Sequence, residues 1–151
     1  MKKYVNFGVM IGTSTIIMYA LMYLNVFQLD HIIFSETRLY MAFIMGSVMA
    51  IVMLIFMRHM YTNKRLNVII LAVSAIIFAS SLWLVRSQTT VEDTSWMKAM
   101  IPHHSIAILT SERANLSDPR VQELADSIIE AQRKEIKEMK KLIEEIEKEQ
   151  D

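Results

Sequence analysis

Apolar residues are distributed unevenly along this chain. Before position 86 they gather in three long stretches, 4–29, 39–57 and 66–85, none of which contains Asp, Glu, Lys, Arg or His. A helix needs about 20 mostly apolar residues to cross a hydrocarbon core of about 30 Å, and all three stretches meet that length. The Ser, Thr and Asn residues inside them are tolerated in a span, because they bond back to their own helix or across to a neighbour. The first stretch is too long for the apolar region of a cleaved signal, and no small-x-small pattern precedes the first loop, so it reads as a retained span.

Beyond position 86 the pattern becomes amphipathic. Residues 87–95 (SQTTVEDTS) form a polar linker in which Thr94 or Ser95 can cap a helix. A helix over 96–115 follows, with Pro102 expected either to kink it or to mark its first turn. Residues 116–119 form a turn, with Ser117 or Asp118 as cap and Pro119 at the first helical position. A second helix runs over 120–148, about 45 Å at 1.5 Å per residue. The predicted fold class is therefore all-α: three transmembrane helices in a membrane anchor, 1–86, a linker, 87–95, and an extramembrane antiparallel helical hairpin, 96–151.

The second hairpin helix has a clear stripe at spacings of three and four: Val121, Leu124, Ile128, Gln132, Glu135, Met139, Leu142 and Ile146. Gln132 and Glu135 interrupt it, and a polar group in an apolar seam costs stability unless it is paired. With a pivot near Ser117, position 103 falls level with about 131, and 97 with about 137. The polar break then faces Met97, Met100, His103 and His104 on the first helix.

Composition narrows the chemistry. Acidic and basic residues balance at 16 each, which removes electrostatic support for a nucleic-acid partner. With no cysteine, thiolate metal sites and disulfides are excluded, while 13 methionines supply soft thioethers or flexible apolar filler. The second apolar stretch has Met41, Met45, Met49, Met53 and Met57 four apart, readable as a thioether ladder for Cu(I) or as a packing ribbon. His59 and Met60 lie just past its end.

Met100 and His104 are one helical turn apart and Met97 lies about a turn earlier. Imidazole with thioethers suits copper, Cu(I) the more so as sulfurs accumulate. Met139 can join from the second helix, and Gln132 or Glu135 can hold the imidazole's other nitrogen. The competing reading makes the histidines partners of that carboxylate, with the methionines as core.

Positions 96–146 resemble the family called "domain of unknown function 305", whose hallmark is M-I-x-H-H-x-x-A-I followed by a Q-x-x-E-I-x-x-M helix. Here these are Met100-Ile101-Pro102-His103-His104, Ala107-Ile108, and Gln132, Glu135, Ile136 and Met139. The resemblance implies a ferritin-like helical bundle and, from some members, extracytoplasmic copper binding in metal tolerance. It implies Met100, His103, His104 and Met139 as ligands, with Met97 as a further candidate. This chain has Ile106, Thr110 and Arg113 where members often carry further Met, which argues against loading with several copper ions.

Basic residues Lys2, Lys3, Arg58, Lys64 and Arg65 flank the first span and fill the second loop. They place the N-terminus in the cytoplasm and the hairpin outside the cell membrane. A hairpin this small cannot bury both faces, so a homodimer completing a four-helix bundle is expected. The function expected is a non-enzymatic, membrane-anchored copper-binding protein, Cu(I) or Cu(II), whose partners are the bilayer and copper-handling membrane proteins. The alternative is a metal-free helical interaction module.

Overall fold

A computed structural model describes residues 2–150; Met1 and Asp151, the outer bounds of the expected anchor and hairpin, lie outside the described residues. The described chain is all-helical. Its elements are α1 (Lys2–Leu21), α2 (Glu36–Phe56), α3 (Lys64–Ser87), α4 (Asp93–Arg113) and α5 (Pro119–Gln150), with a short 3-10 turn at Leu29–His31. Helices α1, α2 and α3 are each long and apolar enough to cross a membrane.

The chain divides into two compact units. One draws on the chain up to Met22 and on Thr37–Thr90; the other on Tyr23–Glu36 and everything from Val91 onward. The anchor expected over 1–86 therefore lacks its first loop, which belongs with the hairpin. Two apolar helices, α2 and α3, separate the two segments of the second unit in sequence.

In the first unit, α1 stops at Leu21, eight residues short of the apolar stretch that predicts it. Length and hydropathy license a span without fixing its end, and Phe27 from the rest of the stretch packs against the second unit's core. Phe7, Ala50, Leu54 and Tyr61 form the buried cluster, with Met53 and Met57 packed against it. Of the methionine ladder, Met41 is exposed and the other four are half-buried. Gly46 lies against Thr15: a Cβ there would overlap Thr15 Oγ1, which is held to the Ile11 carbonyl at 2.8 Å. Helix α3 starts with Asn63 as cap, its side chain accepting from Leu66 N–H at 3.1 Å. It ends at Gln88 in the left-handed region, whose N–H bonds the Leu84 carbonyl.

The second unit is the α4–α5 hairpin with Tyr23–Glu36 packed on it. Helix α5 starts as its sequence predicts, with Asp118 accepting from Arg120 N–H at 2.9 Å and Pro119 first in the helix. Helix α4 starts earlier than expected, at Asp93, after Glu92 rather than Thr94 or Ser95. Pro102 thus falls well inside it, buried. The core is Met97, Ile101, Ile108, Ile136, Met139 and Ile143, with Phe27 and Ile33 of the first loop packed against it. A face expected to await a second copy is thus partly covered by the chain itself.

The hairpin register differs from the one predicted by a pivot at Ser117. His104 meets Glu135, Lys98 meets Glu147, and Glu112 meets Arg133. These partners lie roughly one to three helical turns further along α5, at about 3.6 residues per turn. The reason is the connection: α4 ends at Arg113 and Ala114 is extended. An extended residue advances about 3.3 Å against 1.5 Å in a helix, so the connection carries the chain further before it reverses.

Candidate metal centre

Helix α4 places Met97, Ile101, His104, Ser105 and Ile108 along the side that meets α5 and the first loop. Met97 and Met139 are buried in one cluster, with Met100 half-buried against it. Three of the predicted sulfurs are thereby brought together with no polar group required to hold them.

His104 is held at both nitrogens. Its Nδ1 donates to the Met100 carbonyl at 2.9 Å, and its Nε2 lies 2.7 Å from Glu135 Oε2. A carbonyl and a carboxylate both only accept, so each of these bonds needs hydrogen on its ring nitrogen. A metal would take Nε2 by displacing that hydrogen and the Glu135 carboxylate, with Nδ1 still held by the carbonyl, a common arrangement for a ligating imidazole. The Glu135 carboxylate faces the same nitrogen from half-exposed surface, so it stands where a ligand would, rather than behind the ring as predicted. His103 is exposed, its ring centroid 6.2 Å from that of His104. This is near the limit for two imidazoles to reach one ion through bonds of about 2 Å. Gln132 is half-buried and bonds neither histidine among the described residues.

Among the described residues, no three His, Cys, Asp or Glu side chains come together as a metal-holding group. A third donor at His104 and Glu135 would therefore be of another type, and the buried methionines supply thioethers.

A second polar constellation was not foreseen. Ser105 is fully buried on α4, and its hydroxyl accepts from Phe27 N–H at 2.6 Å. His31 Nδ1 lies 2.8 Å from the same oxygen. The other ring nitrogen of His31, Nε2, faces Asp30 at 3.9 Å. Burial, then Lys140 nearby, holds the His31 imidazole below its ordinary pKa, with Asp30 opposing. Asp30 pairs with Lys140 at 2.6 Å, and that hydrogen bond lowers its carboxyl's pKa. Ser105, His31 and Asp30 form a series of catalytic residue types, yet the hydroxyl is inaccessible and engaged on both sides. Nucleophilic attack would need the loop removed. The sequence signal was the Asp30-His31 pair beside the apolar Ile32-Ile33-Phe34 run, which no periodicity connects to α4.

The class is thus a helical protein with three apolar helices of spanning length and a His/Met hairpin stapled by its own first loop. Residues 83–150 match the family model described as domain of unknown function (DUF305). A curated relative, an uncharacterised protein of Acanthamoeba polyphaga mimivirus, is 34% identical over 109 residues, covering 70% of this chain and 69% of that protein. That alignment is longer than the family match and so reaches beyond the hairpin. No solved structure matches the chain. The chain belongs to the DUF305 family.

Proposed function

We propose that this protein is a membrane-anchored, extracytoplasmic copper-binding protein of metal homeostasis, without catalysis. Copper is its cargo, held by His104 and the thioethers of Met97, Met100 and Met139, with His103 as an outer ligand and Glu135 balancing charge. The observation that carries this reading is His104, its Nδ1 tied to the Met100 carbonyl and its Nε2 turned toward α5, beside a methionine cluster. Hard-metal sites need more carboxylates than surround it, while imidazole with thioether favours copper. The outward placement rests on the basic residues flanking α1 and joining α2 to α3. Cu(I) titration of the full-length protein against a chromogenic chelator tests the site. Wild type competes for the metal, whereas His104→Ala and Met97→Leu/Met139→Leu weaken it by at least tenfold; equal competition by all three would remove the site.

One observation favours a second reading. Glu135 already satisfies His104 Nε2, so the pair can be a structural bond within a metal-free interaction module. In that case thermal stability of the purified protein does not respond to copper, whereas a copper site raises it by mass action.

We also propose that a second copy completes a ferritin-like four-helix bundle. Val121, Leu124 and Leu142 are exposed apolar side chains on α5 that the first loop leaves uncovered, and a partner hairpin would bury them.

A further inference from the structure

Within the first unit, the start of α1 and the connection between α2 and α3 are tied together. The Tyr4 hydroxyl donates to Asn67 Oδ1 at 2.9 Å and accepts from Asn63 N–H at 3.0 Å. Asn67 in turn donates to the Tyr61 carbonyl at 2.7 Å. The Tyr61 ring packs against Tyr4 and Phe7, both at 5.2 Å between centroids. These bonds hold two helix N-termini side by side, those of α1 and α3. Between them opens a cleft of about 740 Å³, lined by Lys2, Lys3, Tyr4, Asn63 and Arg65 among others.

The charges around this cleft are unbalanced. The positive end of a helix dipole favours carboxylates in the first turn. Neither α1 nor α3 has one there; their first turns carry Lys2, Lys3, Lys64 and Arg65 instead. No Asp or Glu occurs in 2–22 or 37–90, so nothing within the described part of this unit can neutralise them. Arg58, just past the end of α2, adds to the same side of the balance. None of the lining cations forms an ion pair among the described residues. Cations at two helix N-termini repel those dipoles and each other, and the fold holds them together with hydrogen bonds and aromatic contacts. Such an arrangement is stable once an external anion sits among them. The cleft volume falls within the about 300–1,000 Å³ of small-molecule sites, and basic pockets at the ends of membrane helices suit phosphate-bearing headgroups.

We propose that this cleft binds the phosphate-bearing headgroup of an anionic phospholipid, with Lys2, Lys3 and Arg65 pairing the phosphate. Asn63 and Tyr4 hold the floor of the site. The site is independent of the copper reading and lies wholly in the other unit.

Native mass spectrometry of the full-length protein, exchanged against equal amounts of phosphatidylglycerol and phosphatidylcholine, tests this directly. Wild type retains phosphatidylglycerol in preference. Arg86→Gln, which removes one cation at the far end of α3, keeps that preference. Lys3→Gln/Arg65→Gln lowers it by roughly twenty-five-fold, at about fivefold per cation. Lys3→Arg/Arg65→Lys, which preserves charge, retains it and separates loss of binding from loss of folding. Equal retention of both lipids by wild type overturns the proposal, as does equal loss in Arg86→Gln and in Lys3→Gln/Arg65→Gln. Displacement of the lipid by inorganic phosphate alone overturns the lipid as the ligand.

Discussion

His31 Nδ1 lies 2.8 Å from the Ser105 hydroxyl, joining the first loop to α4 across 74 positions of sequence. The same hydroxyl accepts from Phe27 N–H, so one buried side chain of the family hairpin fixes two points of a loop that precedes it by two apolar helices. The first loop is thereby part of the hairpin domain, and Ile101, Met97 and Met139 are enclosed by it as well as by each other.

Ser105→Ala removes the partner of both Phe27 N–H and His31 Nδ1. Each buried polar group left unpaired costs about 1–3 kcal/mol. Chemical denaturation should show a loss of that order, and hydrogen exchange should show faster exchange over 23–36 than over α5. A uniform loss of protection across the hairpin would contradict the stapling role.

The burial of His31 also makes stability depend on pH. Burial first, and Lys140 second, lower the His31 pKa in the folded state. The unfolded chain therefore binds the proton more readily, and stability rises with pH across the interval between the two values. The contribution is complete above the unfolded value of about 6.5 and is lost as pH falls through it toward the lower folded value. Wild type should lose stability on going from about pH 7.5 to 5, and His31→Gln should flatten that fall. Parallel curves for the two proteins would exclude His31 as the titrating group.

Much of this fold is legible from hydropathy and capping alone. The three apolar helices, the Asp118-Pro119 start of α5 and the grouping of Met97, Met100 and Met139 all follow from local pattern. The partner of His104 was within reach as well, because Glu135 interrupts an apolar stripe. Its register was not, since the extended residues after Arg113 change how far each helix travels before the chain reverses. The role of Tyr23–Glu36 was hidden for a different reason. Phe27 looks like the tail of a span, and nothing in its spacing distinguishes lipid from protein as the apolar surroundings it occupies.

In the first unit, Gly46 permits the close approach of α2 to Thr15. Gly46→Ala should destabilise by about 1–3 kcal/mol, as overpacking does, because Thr15 is both β-branched and bonded to Ile11. Thr15→Ala in the same chain should recover part of the loss. Steric trapping or thermal denaturation in lipid nanodiscs reads both, and additive losses would show that the two residues do not touch.

Exposed Leu124 and Leu142 on α5 define the surface on which a second copy would close the bundle. Leu124→Lys should convert a crosslinkable dimer to monomer in native membranes while leaving the helical content unchanged. A monomer in the wild type, or a dimer unaffected by this change, would contradict dimerisation through α5.

The copper reading is tested most directly by X-ray absorption at the copper edge of full-length protein loaded with one equivalent of Cu(I). The account predicts sulfur and nitrogen scatterers together, with the sulfur contribution reduced in Met97→Leu/Met139→Leu and the nitrogen contribution reduced in His104→Ala. A spectrum without sulfur, or one unchanged by either variant, would contradict it.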